Sequence, residues 1–260
     1  MRDFNWGDSG LALTFRAPDD GAVILDALVP GELVERFQPL VELMVLGEGR
    51  ALSNIRMSHS GVGRRLRFVE HKVVVESGVS TLRITQADPL TGLRLTSVFV
   101  QRPGIPAFQT WTEVQNIGGR EHVLQSVSSF ATSALLDAGE AIDDVELWRG
   151  RSDWCAEGRW SALRVSGPAG LASINTDFHH HDDRGTLSTV STSTWSSGTW
   201  LPTAVLANTR SGRSLAFQLE HNGAWRWELD ALRDGANGLA LILNGPTDLD
   251  HQWTHRLAPG

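Results

Sequence analysis

Phe108-Gln109-Thr110-Trp111-Thr112-Glu113-Val114-Gln115-Asn116-Ile117-Gly118-Gly119-Arg120-Glu121-His122-Val123-Leu124-Gln125-Ser126-Val127-Ser128-Ser129 is the stretch that decides the fold. Apolar and polar side chains interleave through residues 108–114 and again through 123–129, the period-2 mark of a strand with one buried face. Asn116-Ile117-Gly118-Gly119 between them is turn chemistry of the kind that suits a hairpin loop. The same alternation recurs on both sides, at residues 11–16, 22–28, 65–76, 81–86, 93–100, 145–148, 161–165, 204–207, 214–220, 225–229 and 239–243. Asp19-Asp20-Gly21, Gly61-Val62-Gly63, Ser211-Gly212-Arg213 and Asn222-Gly223 supply further hairpin turns. Helical periodicity is scarce; residues 32–37, bracketed by Pro30 and Pro39, allow one short helical turn. More than a dozen antiparallel strands at this spacing predict an all-β fold, a large two-sheet antiparallel β-supersandwich with little helix. No fixed repeat and no Pro/Ser-rich linker divides the chain, so a single domain over residues 1–260 is expected.

Composition narrows the function classes. The chain has 260 residues, 41% hydrophobic and 20% charged, enough for a sizeable core. Lys and Arg number 23 against 30 Asp and Glu, a net charge of −7 that excludes a general nucleic-acid binder. Cys155 is the one cysteine, so no internal disulfide forms. The opening residues lack the apolar core of a signal peptide, and no run approaches the roughly 20 apolar residues of a membrane span. A soluble, cytoplasmic protein with no membrane partner is expected. Ten Trp beside nine Phe and no Tyr is the oddest entry in the composition, because Trp often serves where a flat apolar face meets a polar ligand.

The densest Trp segment is Trp148-Arg149-Gly150-Arg151-Ser152-Asp153-Trp154-Cys155-Ala156-Glu157-Gly158-Arg159-Trp160. A sugar ring offers an apolar C–H face with hydroxyls at its edge, so a Trp platform flanked by Asp, Glu and Arg suits it. The bland alternative is a strand-loop-strand whose Trp are core. Trp195-Ser196-Ser197-Gly198-Thr199-Trp200-Leu201-Pro202 is a loop that can approach a ligand or serve as a plain connection. Gln218-Leu219-Glu220-His221-Asn222-Gly223-Ala224-Trp225-Arg226-Trp227 reads as a hairpin with Trp225 and Trp227 on one strand face. Trp111, Trp225 and Trp227 are expected to pack within the strands. His179-His180-His181-Asp182-Asp183 lacks the spacing of a zinc motif and reads as solvated loop. The pairs Asp143-Asp144 and Asp248-Leu249-Asp250 read as turn acids. Nucleophile elbows, phosphate loops and CxxC pairs are absent from the sequence, so neither a catalytic residue, a metal nor a cofactor is expected.

Gly10-Leu11-Ala12-Leu13, the 154–160 segment, Trp195 to Pro202 and the 218–225 segment resemble, in order and spacing, the N-terminal domain of a glycoside hydrolase family 36 α-galactosidase. The ending Trp253-Thr254-His255-Arg256-Leu257-Ala258-Pro259-Gly260 is similar to the family's Trp-x-Leu-x-Pro-Gly. The resemblance implies a mutarotase-like β-supersandwich that precedes a (β/α)8 catalytic barrel. It also implies retaining hydrolysis of terminal α-galactosides such as melibiose and raffinose by two Asp on that barrel, carboxyls about 5–5.5 Å apart. This chain has no Lys-Trp-Asp motif, so it is not expected to hydrolyse alone. Its implied partners are galactoside sugars, the barrel of the same polypeptide and further copies in a homo-oligomer. In the family a Trp-x-x-Glu-Arg segment reaches a neighbouring sugar site. Trp154 and Glu157 match it as substrate-binding residues, with Gly158 intervening before Arg159. A family Asp nearer the N-terminus has no counterpart here, and Trp200-Leu201-Pro202 stands where the family has Asn-Pro-Phe. Two alternatives remain. One is a freestanding carbohydrate-binding module using Trp148, Trp154 and Trp195. The other is a mutarotase-like enzyme using His122 or His221 with Glu220.

Overall fold

The computed structural model describes residues 1–28, 36, 38–50, 56–171, 186–232 and 238–260. Strands β1 (Arg2–Gly7), β2 (Ala12–Ala17) and β3 (Ile24–Ala27) form one antiparallel sheet. Strands β5 (Arg67–Glu76), β6 (Val79–Ala87), β7 (Leu93–Gln101) and β8 (Phe108–Asn116) form a meander. The largest sheet runs β12 (Leu187–Ser191), β15 (Trp225–Leu232), β16 (Gly238–Asn244), β9 (His122–Thr132), β17 (His255–Leu257), with β4 (Leu43–Val45) also pairing β9. The fourth sheet runs β11 (Arg159–Arg164), β10 (Val145–Arg151), β13 (Trp200–Asn208), β14 (Ser214–Gln218). Two short helices, α1 (Gly61–Arg65) and α2 (Asp248–His251), and a 3-10 turn at Ile142–Asp144 complete the described elements.

The all-β antiparallel sandwich expected from the alternation is what forms, divided by its hydrogen bonding into four sheets. One apolar core links them, from Phe15 through Leu82, Phe99 and Phe130 to Leu147, Leu206, Trp227 and Leu241. Phenylalanines stitch the sheets: Phe15 and Phe130 meet Phe99 edge to face at 5.3 and 6.4 Å, and Phe130 lies tilted 5.7 Å from Phe108. Strands β1, β4, β12 and β17 lie outside the alternating runs expected from the sequence. Two are three residues long, and β12 buries Thr189 and Ser191 beside Leu187 while Val190 is half-buried, so its buried face is mostly polar.

Several turns do a different job from the hairpins expected of them. Residues 116–119 carry the chain between sheets, since β8 pairs with β7 while β9 pairs with β4, β16 and β17. Asn116 holds this arch by donating to the carbonyls of Arg120 (2.7 Å) and Leu257 (3.0 Å). Gly118 is obligatory there, because a Cβ would come within 2.6 Å of the Thr91 carbonyl oxygen. Asn222-Gly223 likewise connects two sheets, β14 pairing β13 while β15 pairs β12 and β16. Gly61-Val62-Gly63 is the body of α1, N-capped by Ser60. Ser211-Gly212-Arg213 does close the β13–β14 hairpin, with Gly212 at φ +75. The helical turn expected at 32–37 lies, apart from Arg36, outside the described residues.

Buried carboxylates tie down residues 57–60. Glu42 accepts hydrogen bonds from Gln38 Nε2 (2.8 Å), His59 N (2.9 Å), Ser60 N (3.0 Å) and the Ser60 hydroxyl. Burial outweighs these donors and pushes the Glu42 carboxyl up to about 7. A carboxyl whose native pKa exceeds its unfolded value of 4.5 binds more protons folded than unfolded, so its contribution falls as pH rises from about 4.5 to 7. Over that interval the native protein is expected to lose stability relative to Glu42→Gln, by at most about 3 kcal/mol. Urea unfolding at pH 4.5 and 7.5 measures it, and parallel losses in both proteins would refute it.

Candidate functional site

The β10–β11 hairpin ends in a tight loop, residues 152–158. Ala156 N donates to Asp153 O at 2.9 Å, and Cys155 and Gly158 take positive φ values of 57 and 67. Trp154 stands at the tip, 88% exposed, with its amide donating to Asp153 Oδ1 at 2.8 Å. Glu157 is exposed; its Oε1 accepts from Cys155 N at 3.2 Å, so one carboxylate oxygen braces the turn that presents Trp154.

A second loop, residues 192–199, docks beside it: Ser152 N donates to Thr199 O at 2.9 Å. Buried Trp225 anchors that loop, its indole N–H reaching Ser196 O at 2.7 Å. Gly198 lets the loop fold on itself, since a Cβ would lie 2.3 Å from the Ser193 Cβ. Trp195 is left 61% exposed on this loop. Tertiary structure therefore unites two segments 40 residues apart in sequence, both bearing an exposed indole.

Strand pleating divides the rest of the hairpin between two faces. Trp148 and Trp160 are half-exposed on one face, where Trp160 pairs opposite Gly150 and its ring would crowd any Cβ there. The other face carries Arg149 and Arg151, with Arg159 the cross-strand partner of Arg151. Both guanidiniums of β10 lie over the Trp200 ring, 4.4 and 4.6 Å from its centroid. Arg149 Nη1 also donates to Thr189 Oγ1 at 3.1 Å. Burial, then the Arg151 charge, lowers the Arg149 guanidinium from its ordinary value. Trp200 as a ring holding two arginines escaped the sequence reading; the signal was Arg-x-Arg on an alternating strand, which puts both heads on one face.

The remaining candidates separate. Trp225 and Trp227 are buried strand residues, but Trp111 is 42% exposed on the outer side of β8, so its expected packing role is corrected. His122 is buried with Nε2 at 3.0 Å from Thr91 O, while His221 is exposed and Glu220 accepts from Gln109 Nε2 at 2.9 Å. Asp144 pairs with Arg210 and Asp250 with Arg226, at 2.9 and 3.0 Å, so both are structural. The 179–183 cluster lies outside the described residues; among the described residues no group of three or more His, Cys, Asp or Glu is placed to hold a metal. Among them, too, no helix is long and apolar enough to cross a membrane.

No family model and no curated protein matches the sequence. Solved structures do. The Lactobacillus brevis α-galactosidase superposes with a TM-score of 0.70 at 15% identity, over 99% of this chain and 37% of its own. The family 36 α-galactosidase AgaA of Geobacillus stearothermophilus gives 0.68 at 12% identity, over 100% and 39%. A variant of that enzyme in complex with raffinose gives 0.67 at 13% identity, over 100% and 39%. The chain thus spans about 39% of the length of such enzymes. The resemblance read from the Trp-bearing segments is borne out as one of fold: the chain has the β-sandwich architecture found within glycoside hydrolase family 36 α-galactosidases.

Proposed function

We propose that the chain serves as the single β-supersandwich domain preceding the catalytic barrel of a retaining α-galactosidase, with Trp154 and Glu157 at the rim of a galactoside site. What carries this reading is a whole-chain likeness to part of such enzymes, joined to an 88% exposed Trp154 on a braced hairpin tip. An indole so presented gives little to its own fold and suits the apolar face of a sugar. The two catalytic Asp belong to the barrel, and the domain does not hydrolyse alone; packing between copies would bring the rim to a neighbouring site.

The test has two arms. The chain alone is expected to release no galactose from melibiose or raffinose, and to give no calorimetric heat with either. Joined to the barrel, Trp154→Ala is expected to raise KM about fivefold to tenfold. The same change should move unfolding free energy by less than about 0.5 kcal/mol, because the tip is exposed. Unchanged KM would sink the rim role. Saturable heat from the chain alone, abolished by Trp154→Ala, would favour a freestanding binding module, the second reading that the exposed Trp154 and Trp195 support.

A further inference from the structure

Arg149, Arg151 and Arg159 concentrate positive charge on one face of a hairpin in a chain of net charge −7. Arg151 and Arg159 sit directly opposite each other, an arrangement of like charges that destabilises a strand pair. Among the described residues their partners are the Trp200 ring, Thr189 Oγ1 and Ala156 O, none of them a carboxylate. The nearby acids Asp153 and Glu157 brace their own loop, accepting from the amides of Trp154 and Cys155. Elsewhere arginines meet acids closely: Arg65 reaches both Glu48 and Asp88, and Arg226 both Glu228 and Asp250.

Trp200 lies beneath the heads of Arg149 and Arg151 and positions both guanidiniums, and among the described residues no hydrogen bond engages the Arg151 head. A planar fork with free N–H groups matches a carboxylate in bidentate geometry. The Trp154 and Trp195 loops close this same end of the sheet. We propose that Arg149, Arg151 and Arg159 form an anion site for a carboxylate-bearing sugar, a hexuronate whose acid group meets the arginine edges while its ring meets an exposed indole. This rests on the reading of the hairpin tip as a sugar contact.

The test titrates the whole chain at low salt with galacturonate, galactose and acetate, following amide shifts by NMR. Galacturonate is expected to bind at least about tenfold more tightly than galactose or acetate, and Arg151→Gln to weaken it about tenfold. Arg151→Lys, which keeps the charge but loses the fork, should restore part of the loss. Arg151 is exposed, so these variants are expected to unfold at the same urea concentration as the parent. Equal affinities for galacturonate and galactose, or an Arg151→Gln protein that binds as before, would overturn the arginine site. Acetate binding as tightly as galacturonate, with Trp154→Ala without effect, would instead locate the failure in the sugar-contact reading and overturn the ligand class.

Discussion

Replacing Arg226 by methionine is expected to lower the free energy of unfolding by about 3–5 kcal/mol. Arg226 is 5% exposed and donates to Glu228 Oε2 through Nη2 at 2.8 Å and Nε at 3.2 Å. It also reaches Asp250 Oδ2 at 3.0 Å. Burial works against its charge, but Glu228 and then Asp250 outweigh that and hold the guanidinium above its ordinary value. Glu228 is fully buried and also accepts from Met57 N, and Asp230, beside it, accepts from the Ser58 hydroxyl at 2.6 Å. Burial, then the Glu228 charge, raises the Asp230 carboxyl well above the usual range. Methionine preserves the volume but leaves two neighbouring acids short of a cation. If the loss comes from stranded charge, Arg226→Met with Glu228→Met will cost less than Arg226→Met alone. Urea unfolding of the three proteins decides it; a single variant within 1 kcal/mol of the parent, roughly the ceiling for an exposed pair, would show the pair to be dispensable.

Trp227→Ala is expected to cost a similar amount, about 3–5 kcal/mol, for an apolar reason. The ring is 1% exposed in the middle of β15, flanked by Thr189 and Leu243 across the two ladders and packed edge-on to Phe217 at 5.4 Å. Removing it leaves a cavity where two sheets meet, and rigid ladders on both sides limit collapse. Its indole N–H has no hydrogen-bond partner among the described residues, so Trp227→Phe should cost only about 1 kcal/mol. Equal losses in the two variants would mean that the ring's polar edge, not its volume, carries the effect.

Legibility in the sequence followed the physics of each segment. Alternation exposed the long strands because one face of each is buried, as in Leu93 and Leu95 of β7 against Arg94 and Thr96. The same signal failed for β12, whose buried face follows Leu187 with Thr189 and Ser191, Thr189 accepting from Arg149. Turn residues revealed where the chain bends but not which strands then pair. Asn116 to Gly119 and Asn222-Gly223 bend it between sheets, whereas Ser211-Gly212-Arg213 bends it within one. The rim candidates Trp154 and Glu157 could be singled out by composition, since a Trp among Arg, Asp and Glu is conspicuous in any context. Trp111 shows the limit, because alternation says that a strand has two faces and not which one is covered.

By itself, then, the sequence determined the all-β class, the positions of the longer strands and the crowding of Trp and Arg into residues 148–160. These are properties of local periodicity and composition. Tertiary structure alone decided that the strands form four sheets joined by one main core, and that the 192–199 loop docks on the 152–158 tip. It alone placed Arg149 and Arg151 over Trp200 and buried Glu228 and Asp230 behind β15. Such pairings join residues tens to hundreds of positions apart, and depend on which faces meet once the chain has folded, a quantity that no local period encodes.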